Sequence, residues 1–173
     1  MKRYSRFFSL CAGLVLLAWA AGAQAQATKP LRVGLIGPFT GASADFGVPM
    51  LHGAQLAVDE INAVGGYLGR PLELVIRDDT AEPAVGLQRS QEVLKEGVVA
   101  TIGFCNTGVA MKALDLYQAA RSPLIVPCAT GTPITTKYPA AESYIFRTSA
   151  RDAIQAPFVV EDIVKRAKAK ISN

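Results

Sequence analysis

The chain has 173 residues, half of them hydrophobic, with 18 Lys and Arg against 14 Asp and Glu, a formal charge of +4 and a single histidine. Three of the 18 basic residues, Lys2, Arg3 and Arg6, crowd the N-terminus, and the remaining 15 nearly balance the 14 acidic ones, which gives no footing for a nucleic acid or an anionic membrane as partner. The three cysteines and one histidine show no CxxC or Cys/His spacing, so neither a metal nor a cofactor is expected.

The N-terminus reads as an address rather than as fold. After the basic residues comes an apolar run from Phe7 to Ala21, then Ala23-Gln24-Ala25, a small-x-small cleavage pattern, with Ala25-Gln26-Ala27 as a second option. The run falls short of the ~20 apolar residues of a spanning helix, and no stop-transfer charges follow. Residues 1–25 are therefore expected to be a cleaved secretory signal peptide. Cys11 belongs to its apolar core, since Leu10 stands where a lipid-attachment site wants a small residue. About 148 residues remain, the usual size of one domain and enough to bury a core.

Beyond the signal, strands and helices alternate. Leu31 to Ile36 is a short apolar strand ending at Gly37-Pro38. Gly53 to Val64 is a helix with Ala54, Ala57, Val58 and Ile61 on one face, stopped by Gly65-Gly66. Pro71 to Ile76 is a second strand, ended by Asp78-Asp79, a pair better suited to a turn than to a cation. Pro83 opens a helix to Glu96, closed by Gly97. Val98 to Gly103 is a strand, and Thr107 to Arg121 a helix with Ala110, Ala113, Leu114 and Tyr117 inward. Pro123 to Val126 and Tyr144 to Phe146 are further strands. A last helix runs from Asp152 to Lys168, with Pro157 tolerable only in its first turn, and its Lys165-Arg166-Lys168-Lys170 cluster reads as a solvated face. Such alternation predicts an α/β fold, a parallel sheet with helices on both faces.

Ligands of such sheets bind at the carboxyl ends of the strands. Three loops leave those ends: Gly37 to Gly47, Phe104 to Gly108, and Pro127 to Pro133. In the second, Thr107 is placed as an N-cap, beside helix amides that make an anion site. In the third, Cys128-Ala129-Thr130-Gly131 offers another hydroxyl and a pliable backbone. Two hydroxyls and free N–H groups can hold one carboxylate without a cationic side chain; equally, Thr107 reads as a plain cap and Thr130 as a turn former. Catalytic patterns are weaker. Gly34 to Gly41 is no GxGxxG fingerprint, and no GxSxG elbow or P-loop occurs. Cys105 or Cys128 as nucleophile has only His52, a surface type of position, for a histidine base.

Taken together, Val33 to Gly41, Gly53 to Gly66, Gly69-Arg-Pro-Leu72, Asp78-Asp79-Thr80 and Pro127-Cys-Ala-Thr130 resemble the type I periplasmic solute-binding proteins of the branched-chain amino acid class, which feed ABC importers. The resemblance implies a three-layer parallel-sheet lobe over residues 30–150 and the first helix of a second lobe over residues 151–173, the rest of that lobe lying outside this sequence, either because the chain is a fragment or because its gene is truncated. It implies a non-enzymatic, monomeric protein of the periplasm that captures a small carboxylate, such as a branched-chain or other amino acid or an aromatic acid, and delivers it to an inner-membrane permease. It assigns the carboxylate grip to Thr107 and Thr130, a backbone carbonyl to Cys128, and the cleft border to Phe46, Asn106 and Ala129. The family's lobe-one disulfide lacks its cysteines here. Cys105 and Cys128 end strands that the resemblance makes neighbours, so they are candidates to pair instead. Two other classes stand beside this one: a ligand-sensing receptor domain of the same fold, and an exported cysteine-dependent enzyme.

Overall fold

The computed structural model describes residues 29–171, and the expected signal peptide lies outside the described residues. Strands β1 (Leu31–Gly37), β2 (Leu72–Asp78), β3 (Ala100–Ile102), β4 (Leu124–Val126) and β5 (Ile145–Arg147) alternate with helices α1 (Ala44–Ala63), α2 (Pro83–Lys95), α3 (Thr107–Ala120) and α4 (Asp152–Ile171). A 3₁₀ turn at Thr132–Thr135 lies between β4 and β5. The five strands pair in parallel, in the order β2-β1-β3-β4-β5. The chain after β2 therefore crosses β1 to start β3 on its other side. This reversal opens a crevice at the carboxyl ends of β1 and β3, where ligands of open α/β sheets bind.

The sheet carries helices on both faces, but unequally. Alternation along β1 turns Gly34 and Ile36 toward α2 and α3, while a methyl group on Gly37 would strike Met50 of α1. On the α2/α3 face the expected inward residues Ala110, Ala113, Leu114 and Tyr117 are fully buried, packed with Val93, Phe104, Leu124, Val126 and Ile134. Burying a large aliphatic or aromatic side chain stabilises by about 1.5–3 kcal/mol, so this cluster holds most of the fold's free energy. The other face is thinly covered. Of the apolar face expected on α1, only Val58 is buried; Ala54 is half-buried, and Ala57 and Ile61 are exposed, as is Phe146 on β5.

Helix α1 begins nine residues before the expected Gly53, and Pro49 sits at its sixth residue. Pro157 also occupies a sixth residue, in the second turn of α4 rather than in the first as expected. At each point the helix forgoes one N–H donor and continues. The stop at Gly65-Gly66 is as expected: Gly66 has φ +78, donates its N–H to Ile61 O at 2.9 Å, and a Cβ there would lie 2.2 Å from Arg70 O. Asn62 then fastens α1 to β2, its amide donating to Leu72 O at 2.9 Å and accepting from Leu72 N–H at 2.7 Å.

Asp78 and Asp79 form a turn, as expected. Asp78 accepts from Phe39 N–H and Thr80 N–H, each at 2.9 Å, and from the Thr40 hydroxyl at 2.5 Å. Asp79 is fully buried and accepts from Ala81 N–H at 2.8 Å. Helix α4 is solvated along nearly its whole length, and the i,i+4 pairs Glu161–Lys165 and Asp162–Arg166 account for much of its basic cluster. None of the described helices is long and apolar enough to cross a membrane.

Candidate functional site at the ends of β3 and β4

Two of the candidate threonines lie where β3 and β4 deliver their loops. The N-cap of α3 is Asn106, with extended φ −98 and ψ 127, and Thr107 is the first helical residue, a correction to its expected place. The reason is a longer-range bond: Thr107 Oγ1 accepts Gly131 N–H at 3.2 Å, tying the loop after β3 to the loop after β4. No side chain caps α3, so its first-turn N–H groups keep their capacity for an acceptor. With the helix field behind them they favour a negative group.

The β4 loop is rigidly held from behind. Arg147 Nη1 donates to Thr130 O and Gly131 O, both at 2.9 Å, and Nη2 donates to the Thr135 hydroxyl at 3.0 Å. Asp152 N–H also donates to Thr130 O at 2.9 Å. The Thr130 carbonyl is thus fully engaged, whereas its hydroxyl makes no hydrogen bond among the described residues. Ala129 is buried; its N–H donates to Phe104 O at 3.1 Å and its carbonyl accepts from the Ser149 hydroxyl at 3.3 Å. Ala129 thereby anchors the loop and offers no open polar atom. Asn106 Nδ2 donates to Ser43 Oγ at 3.3 Å, while Asn106 Oδ1 is buried without a partner among the described residues.

Beside these loops a cavity of about 440 Å³ opens between α1 and the strand ends. Its walls include Phe46, Pro49, Met50, Ile102, Pro127 and Cys128, and they are almost wholly apolar. Phe46 is two-thirds exposed at its rim. Cys105 and Cys128 are free thiols that follow neighbouring strands, so the two loops lie side by side as expected, without a disulfide. Interaction with Cys105 draws the Cys128 thiol down to about 7, and the same interaction, with burial, pushes Cys105 upward. Burial raises Asp79 to about 6 from its ordinary 3.8, with the Asp78 charge adding to the effect and the Ala81 N–H opposing it.

His52 is exposed on α1, so neither thiol has a histidine base beside it as a buried dyad would require. Among the described residues no group of three or more His, Cys, Asp and Glu side chains is placed to hold a metal. The arrangement can hold a carboxylate reversibly through hydroxyls, helix amides and an apolar flank. Arg147, Ser149 and Ser43 were not singled out in the sequence. Ser43 lies in a flagged loop, but Arg147 and Ser149 act on backbone carbonyls about twenty residues away or fewer, which leaves no local signal.

A family model described as "Periplasmic binding protein" matches residues 30–171. The Leu/Ile/Val-binding protein homolog 3 of Brucella melitensis is 31% identical over 156 residues, 90% of this chain and 42% of that protein. The branched-chain amino acid transporter substrate-binding protein LivJ of Streptococcus pneumoniae, solved with isoleucine, superposes with a TM-score of 0.67 and 32% identity over 72% of this chain and 35% of that one. A solute-binding protein of an ABC transporter from Rhodopseudomonas palustris, solved with 3,4-dihydroxybenzoic acid, gives 0.63 and 31% identity over 70% of this chain and 32% of that one. The chain thus spans well under half the length of these relatives.

Proposed function

The chain belongs to the periplasmic binding protein family, and on that premise we propose that it supplies the carboxylate-gripping lobe of the solute-binding component of an ABC importer. The lobe occupies residues 30–150, and α4 opens a second lobe. The observation that carries the reading is the bond from Gly131 N–H to Thr107 Oγ1, which fixes two hydroxyl-bearing loops side by side at the carboxyl ends of neighbouring parallel strands. A ligand carboxylate there accepts from the Thr130 hydroxyl and from first-turn N–H groups of α3, with the Thr107 hydroxyl beside it. The Cys128 carbonyl faces a ligand amino group, Phe46 and Asn106 border the cleft, and Ala129 braces the loop. The second lobe closes over the ligand because contacts to both lobes favour the closed state. No chemical turnover is involved. The protein works as a monomer in the periplasm and passes its ligand to an inner-membrane permease.

These loops read the carboxylate, a group common to branched-chain amino acids and aromatic acids, and the relatives solved with isoleucine and with 3,4-dihydroxybenzoic acid support both ligand classes. The test is calorimetry of the complete two-lobed protein against leucine, isoleucine and 3,4-dihydroxybenzoate. Thr107→Ala and Thr130→Ala should each cost about 1.5–3 kcal/mol of binding for whichever ligand the parent takes. Unchanged affinity in both variants removes this site assignment.

A further inference from the structure

Three sulfur-bearing residues from three parts of the chain converge beside the apolar cavity. Cys105 follows β3, Cys128 follows β4, and Met50 stands on α1. Cys105 Sγ lies 4.0 Å from Met50 Sδ, and Cys128 stands at the end of the neighbouring strand, next to Ala129, whose N–H donates to Phe104 O at 3.1 Å beside Cys105. Met50 and Cys128 both line the cavity, so the cluster has an entry path.

The Cys105–Met50 separation matches a definite coordination shape. A metal–thiolate bond is about 2.3 Å long. Three sulfurs at the corners of a trigonal plane around such a metal stand about 4.0 Å apart, the observed separation of Cys105 and Met50. The donor set is equally selective. Two thiolates and a thioether suit a soft cation, whereas hard and borderline cations want carboxylate, imidazole or a fourth ligand. The cavity wall offers none of these, since its polar lining is slight and His52 is turned to solvent.

We propose that Met50, Cys105 and Cys128 form a trigonal site for a soft monovalent cation of the Cu(I) class. Binding replaces the two thiol protons, which pass to water, and no electron changes hands because the metal arrives already as Cu(I). The site is separate from the carboxylate grip: it uses the side chain of Cys128, where the ligand reading uses only its backbone carbonyl. It stands or falls independently of that reading.

The test uses the full chain on a Cys11→Ser background, so that Cys105 and Cys128 are its only thiols. The reduced protein is titrated anaerobically with Cu(I) held by bicinchoninate. One equivalent should leave the chelator, with a near-ultraviolet thiolate-to-copper absorption and three sulfur neighbours at about 2.3 Å in X-ray absorption. Cys105→Ser and Cys128→Ser should each abolish uptake. The volume-conserving Met50→Leu, checked for an unchanged thermal melt, should weaken it at least tenfold. Failure of the parent to withdraw copper, an unaltered affinity in Met50→Leu, or loss of both thiols to a disulfide once the reductant is removed would each overturn the proposal.

Discussion

Gly131→Ala probes the lock between the two ligand loops. An added methyl group would come within 2.3 Å of Thr107 Cγ2 and 3.0 Å of Thr107 Oγ1. Gly131 has φ −52 and ψ 125, which any L-residue adopts, so the cost comes from the contact and not from the backbone. Gly131 is itself buried and Arg147 holds its carbonyl, so the loop cannot simply swing away. Overpacking of this kind costs about 1–3 kcal/mol, and displacing Thr107 also forfeits a hydrogen bond worth about 0.5–1.5 kcal/mol. Urea denaturation should therefore show a loss of about 2–4 kcal/mol, and calorimetry on the two-lobed protein at least tenfold weaker carboxylate binding. Thr107→Ser removes the offending Cγ2 and keeps the hydroxyl, so the double variant should recover half or more of the stability. A single variant as stable as the parent, or a double variant no better than the single, would refute the reasoning.

Asp79 makes a pH signature. Its folded-state value of about 6 lies above its unfolded 3.8, so its favourable contribution is complete below pH 3.8 and lost as pH rises through 6. That difference corresponds to about 3 kcal/mol. Between pH 4 and pH 7 the stability of Asp79→Asn relative to the parent should improve by roughly that amount in urea titrations, and a constant gap across the window would clear Asp79 of the role. Arg147→Met should cost about 2–3 kcal/mol, because three acceptors lose a charged donor, and it should raise proteolysis within residues 127–135; protection equal to the parent's argues against the clamp. Asn62→Ala breaks both bonds to Leu72 and should lower the thermal midpoint by several degrees, for a cost of about 1–3 kcal/mol. A midpoint within a degree of the parent's would show that α1 needs no such fastening.

The strands and the α2/α3 layer were legible because each carries its own punctuation. Pro83 opens α2, Gly97 closes it, and Ala110, Ala113, Leu114 and Tyr117 repeat at helical spacing onto one buried face. The start of α1 was not legible, since Gly47 and Pro49 read locally as breakers while the packed helix absorbs both. Thr107 and Asn106 are both good capping types, and local sequence does not choose between them; the bond to Gly131, 24 residues on, does. The resemblance brought Cys105 and Cys128 together through strand order. Met50 was invisible as a partner, because a thioether on a helix reads as core until the cavity places it beside a thiol.

The strand order has a consequence for how the lobe is made. Every strand after β1 docks beside one already made: β2 and β3 on either side of β1, β4 on β3 and β5 on β4. A ribosome releases the N-terminus first. As each segment emerges, its seat already exists, and the growing edge receives strands in the order of synthesis without undoing any earlier pairing. Assembly can keep pace with delivery, one βα unit at a time, so the nascent sheet exposes one unfinished edge rather than several.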